Sequence, residues 1–71
     1  MENKKFDSSL IIHGWYNGTD KELEISFPNG KKYRYYGVEE KEWKGLCSAE
    51  SAGEYFSQNI KGKYHYKLLS I

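Results

Sequence analysis

The stretch from Asn17 to Gly30 constrains this chain more than any other. Asn17-Gly18-Thr19-Asp20 and Pro28-Asn29-Gly30 are turn sequences, because Asn and Gly accept positive φ and Pro presets its own φ. Between them Glu22, Glu24 and Ser26 alternate with Leu23, Ile25 and Phe27. That period places every apolar side chain on one face of a strand, whereas a helix would scatter them around its circumference. A half-buried strand bracketed by two reversals needs a strand on either side. Leu10 to Tyr16 supplies the first, with β-branched and aromatic residues around His13 and a Gly14 that marks a bulge. Lys31 to Tyr36 supplies the third, with Tyr33 and Tyr35 sharing a face. The expectation is a three-stranded antiparallel meander.

Beyond the meander the pattern changes. Glu39, Glu40 and Glu42 suit the first turn of a helix, and Val38, Trp43, Leu46 and Cys47 form an apolar stripe. Ser51 followed by Glu54 is a capping-box signature, and Ala52, Phe56 and Ile60 recur at helical spacing, so a second helix runs from about Ala52 to Asn59. Gly62 ends it, and Lys63 to Leu68 reads as a short closing strand. The fold class is therefore α+β: a three-stranded meander, two short helices and a short C-terminal strand. Leu23, Ile25, Phe27, Trp43, Leu46, Phe56 and Ile60 are the expected core. Residues 1–7 read as a flexible or edge-docking N-terminus, and 8–71 as one domain.

Seventy-one residues make one small core, worth rarely more than about 3–5 kcal/mol. Twelve aromatic side chains supply large buried area per residue. Homo-oligomerisation would add more, with Trp15 and Tyr16 as candidates. Cys47 is the single cysteine and closes no intrachain disulfide. A lone thiol, no apolar segment after Met1 and no membrane-length apolar run point to an intracellular, cytoplasmic protein that does not engage the membrane. A net charge of +1 argues against coating nucleic acid by charge alone, so anion recognition must be local.

Several residues recur in a familiar order: Ser8-Ser9, Leu23-x-Ile25-x-Phe27, Gly30, Tyr33-x-Tyr35 and Val38, then Ala49-x-Ser51-x-Gly53-x-Tyr55-Phe56 and Ile60-x-Gly62-x-Tyr64-x-Tyr66. In this order and spacing the chain resembles the KTSC domain, a family of about this length found alone in bacteria and phages and at the C-terminus of some lysyl-tRNA synthetases. The resemblance implies RNA binding as one function.

The catalytic inventory is thin. His13, His65 and Cys47 are scattered, and no nucleophile stands near a base and an orienting acid, so no enzyme activity, metal or cofactor is expected. His13 and Cys47 are most simply structural, and the Glu39–Glu42 cluster a solvated helix face. Basic residues are more informative. Lys31, Lys32 and Arg34 lie in the third strand, and Lys61, Lys63 and Lys67 lie in a tail, 55–71, without any acidic residue. Tyrosines are interleaved with both groups. If Tyr33 and Tyr35 face the helices, Lys32, Arg34 and Tyr36 face outward together. The expected ligand-binding residues are Arg34, Tyr36, Lys61, Gly62, Lys63, Tyr64, Tyr66 and Lys67, with Arg34 holding phosphate bidentately. The partner so described is a small anionic nucleotide, and a phage sponge that sequesters a host immune nucleotide signal, an anti-defence role, is one setting for it. An RNA- or tRNA-binding module and a protein-interaction module inhibiting a host factor are the alternatives.

Overall fold

The computed structural model describes residues 1–70; Ile71, the last residue of the expected domain, lies outside the described residues. In chain order the elements are β1 (Glu2–Lys5), β2 (His13–Asn17), β3 (Glu22–Ser26), β4 (Lys32–Tyr36), α1 (Glu40–Ser48), α2 (Ala52–Asn59) and β5 (Tyr66–Ser70). The strands form one five-stranded sheet in the order β1-β2-β3-β4-β5, with every neighbouring pair antiparallel. The α+β class holds, but four strands precede the helices where the sequence pattern gave three.

The extra strand is the N-terminal segment read above as flexible or edge-docking, and it docks at the sheet edge. Glu2 to Lys5 pairs with Tyr16 to His13, and Phe6 then turns into the core at 6% exposure, its amide donating to the Ile12 carbonyl at 2.7 Å. Phe6 anchors the segment, while its charged neighbours stay in water as an edge strand requires. The return from β1 occupies the residues that sequence assigned to the start of the next strand. Ile11 is fully buried there, and Leu10 and Ile12 are exposed. Gly14 forms no bulge, since β2 pairs in continuous register on both sides. Its missing side chain has another purpose: a Cβ there would lie 3.0 Å from both Phe6 Cε2 and Trp43 Cζ3.

Both helices lie on one face of the sheet, which we call the inner face. All the expected core residues are buried except Phe27, which packs half-buried against the cluster. Phe6, Ile11, Tyr16, Tyr35, Val38 and Ala52 join them. Val38 enters the core from the turn before α1, not from the helix itself. Tyr16 is 1% exposed and donates to the Val38 carbonyl at 2.6 Å, so it serves the core and offers nothing to an intermolecular contact. The Ser51 hydroxyl accepts from the Glu54 amide at 3.2 Å, the backbone half of the capping box that starts α2.

Candidate functional site

The outer face of the sheet carries no helix. Cross-strand register brings Glu24 opposite Arg34 and Ser26 opposite Lys32, so the acidic alternation of β3 meets the basic alternation of β4. Arg34 donates to Glu24 Oε2 from Nε at 3.0 Å and from Nη2 at 2.8 Å, and its Nε stands 3.6 Å from Glu22 Oε1. Lys32 Nζ lies 3.2 Å from Glu24 Oε1 and 4.1 Å over the Trp15 ring. The Arg34 fork is thus already filled by carboxylate. The expected bidentate phosphate anchor is bonded to Glu24 in this structure, because the register sets an acid opposite Arg34.

Burial raises the Glu24 carboxyl, but hydrogen bonds from Arg34 and Lys32 outweigh it and hold the group below its ordinary 4.5. A carboxyl depressed by folding contributes stability that is present above the unfolded value and is lost as pH falls through the folded one. Glu24→Gln is therefore expected to lower the urea midpoint at pH 7 and to flatten its decline below about pH 4.5. Equal pH slopes for the two proteins would refute this.

The inner face is covered incompletely beside β4 and β5. Tyr66 is 60% exposed and Leu68 39%, and next to them a groove of about 330 Å³ opens between the sheet and the end of α2. Leu10, Phe27, Tyr33, Tyr35 and Phe56 make its apolar walls, and Asn29, Lys31, Ser57 and Lys61 its polar ones. The aromatic rings brace one another. Tyr33 stacks with Tyr66 at 5.5 Å and meets Phe27 edge-on at 5.6 Å, while Phe56 meets Phe27 and Tyr35 edge-on, each at 5.5 Å. Burial pushes the Tyr35 hydroxyl up to about 12, so it stays a neutral phenol across the physiological range. Among the described residues no carboxylate forms an ion pair with Lys31 or Lys61, in contrast to Lys32 and Arg34.

The expected site residues are divided among three places. Lys61 lines the groove, and Tyr66 stacks on its Tyr33 wall. Arg34 and Lys67 pair in register, and with Tyr36 they belong to the outward alternation. Gly62, Lys63 and Tyr64 border a separate depression shared with Tyr36 and His65. There the Tyr64 hydroxyl donates to Glu42 Oε2 at 3.1 Å and the Tyr55 hydroxyl to Oε1 at 2.6 Å, so Glu42 ties both helices to the loop before β5. Tyr64 is occupied by that tie. Sequence reasoning missed Lys31 as a site residue although it lay in the basic cluster, and it counted Phe27 and Phe56 only as core. Cys47 is half-buried, and burial pushes its thiol up from the usual value, which disfavours the nucleophilic thiolate. No three His, Cys, Asp or Glu side chains converge among the described residues.

The KTSC domain family model matches residues 7–64, which takes in the whole groove. This chain belongs to the KTSC domain family. Lysine–tRNA ligases of Trichormus variabilis and Nostoc punctiforme are 36% and 33% identical to it over 66 residues, 93% of this chain. The match takes in only 12% of each ligase, so the shared segment is a small part of those enzymes. The crystal structure of a KTSC domain protein from Yersinia pestis superposes with a TM-score of 0.91 at 32% identity and covers 96% of both chains. Phe27, Tyr33, Tyr35 and Phe56, which carry the resemblance in sequence, are four of the groove's walls. No helix among the described residues is long and apolar enough to cross a membrane.

Proposed function

We propose that this KTSC domain is a non-catalytic binding module whose groove holds the base and phosphate of one nucleotide. One observation carries the reading: a braced aromatic wall flanked by Lys31 and Lys61, two ammonium groups that no acidic side chain in the described residues neutralises. The groove falls within the ~300–1,000 Å³ typical of small-ligand sites, and stacking a base on an aromatic ring contributes about 1–3 kcal/mol. Lysine serves as a point charge for phosphate, and the neutral Tyr35 hydroxyl is able to donate or accept a hydrogen bond. A protein that holds a nucleotide without converting it would act inside a cell by sequestration, the setting that a phage anti-defence sponge represents.

The similarity to part of two lysine–tRNA ligases favours a second reading, in which the groove takes a single unpaired base of an RNA. Isothermal titration against nucleoside mono- and triphosphates, cyclic dinucleotides and single-stranded RNAs of increasing length separates the two. Saturable one-site binding of a small nucleotide is the expected result. Affinity that rises with RNA length and falls steeply with salt would replace it with the RNA reading. Absence of heat with every member would reject both and leave a protein-interaction module.

A further inference from the structure

Leu10 is 53% exposed, yet the chain around it leaves it little freedom. Its amide donates to Ser8 Oγ at 3.1 Å, which closes a tight turn in the connection from β1 to β2. Ile11, next in sequence, is fully buried. The Ile12 carbonyl accepts from the Phe6 amide at 2.7 Å, and the Ile12 amide donates to the Ser26 carbonyl at 2.9 Å. The turn rests on α2 at Gly53. A Cβ there would lie 2.7 Å from Leu10 Cβ and 2.8 Å from both Leu10 Cδ1 and Ser8 Oγ, well inside ordinary packing distance. Alanine is the better helix former, so what glycine provides at this position is a seat for the turn. A lone exposed leucine is ordinary on a protein surface; one held by a turn, a buried neighbour and an absent side chain is not.

The seat fixes where Leu10 stands in the groove. Gly53, Phe56 and Ser57 share one face of α2, and Lys61 lies eight residues beyond Gly53, about 12 Å at the helical rise. Phe56, Ser57 and Lys61 all line the groove, so Leu10 stands toward one end of it and the Lys61 ammonium toward the other. Leu10 is the single aliphatic side chain in a lining otherwise made of rings and polar groups. We propose that Leu10 is a fixed apolar jaw, which clamps a flat ring of the ligand against the aromatic wall while an anionic substituent of that ring reaches Lys61. Unstacked bases are held in this way, between aromatic and apolar side chains. Because the turn is already pinned, closing on a ring costs little ordering entropy. Resting on the reading of the groove as the binding site, the jaw adds a selection: a flat ring that carries an anion is retained, and an anion without a ring is not.

Fluorescence titration of the folded chain with 1-anilinonaphthalene-8-sulfonate, a flat aromatic anion that is not a nucleotide, tests it. Saturable binding at one site is expected. Leu10→Ala should weaken that binding at least ~5-fold, since the exposed half of a leucine side chain loses its contact with the ring. Gly53→Ala should weaken it similarly by displacing the turn, and should add nothing in Leu10→Ala/Gly53→Ala, because its effect passes through Leu10. A wild type without saturable binding overturns the proposal. So does a Leu10→Ala chain that binds as the wild type does, or a Gly53→Ala effect that persists in the double variant. Titrating wild type and Leu10→Ala with the nucleotides named above keeps the two readings apart. If the dye behaves as expected and no nucleotide binds, the jaw stands and the nucleotide reading falls; if a nucleotide binds both chains equally, the nucleotide reading stands and the jaw falls.

Discussion

Trp43→Ala is expected to abolish the cooperative unfolding transition of this domain at 37 °C. The indole is 2% exposed, stacks with Tyr16 at 5.8 Å and meets Phe6 edge-on at 6.3 Å. It fills the space over Gly14, and its Nε1 donates to Glu2 Oε1 at 3.3 Å. One side chain therefore joins α1 to both β1 and β2. Truncating a buried Trp costs about 3–5 kcal/mol, and a single core of this size rarely supplies more than about 3–5 kcal/mol in all. The two quantities are comparable, which is why a loss of folding is expected in place of a lowered midpoint. Trp43→Phe keeps most of the ring contacts and should retain a urea transition at a reduced midpoint. Trp15, half-buried on the outer face, remains in both variants as the fluorescent probe. A loss under about 1 kcal/mol on Trp43→Ala would show that the contact of α1 with the sheet is not where the stability resides.

The same residues show what sequence patterning can and cannot convey. β3 and α2 were legible because each carries its own signal: strict alternation between two turns in one, a cap followed by helical spacing in the other. β1 was not legible. Its residues have no period, and it is a strand only because β2 offers it hydrogen bonds and Phe6 has a pocket to fill. Tyr16 looked like an interface aromatic because its destination, the Val38 carbonyl, lies twenty-two residues away. The site was half legible for a related reason. Alternation correctly grouped Tyr33 with Tyr35 and Lys32 with Arg34, but the freedom of each cation depends on its neighbour across the sheet. Glu24 and Glu22 stand beside Arg34, whereas the turn residue Lys31 meets Lys61 at the groove only after α2 has folded back over the sheet.

That distinction among cations yields the sharpest binding result. Lys31→Ala/Lys61→Ala is expected to weaken nucleotide binding by about 1.5–3 kcal/mol for each ammonium that bonds phosphate. At about 1.4 kcal/mol per tenfold, this amounts to at least ~100-fold for the pair. Arg34→Ala should leave affinity within about twofold, because its guanidinium is held by Glu24 on the opposite face of the sheet. Its effect should fall on stability instead, as a small drop in the urea midpoint, because solvent screens a partly exposed ion pair. Titrating all three proteins with the nucleotide that the wild type binds, alongside urea midpoints, separates the two faces. If Arg34→Ala abolishes binding and the lysine pair does not, the outer face is the binding surface and Glu24 must give up its partner to the ligand. If the lysine pair alone loses affinity and its urea midpoint is unchanged, the phosphate sits at the mouth of the aromatic groove, and the ion pairs of the outer face serve to keep an uncovered sheet surface in register and in solution.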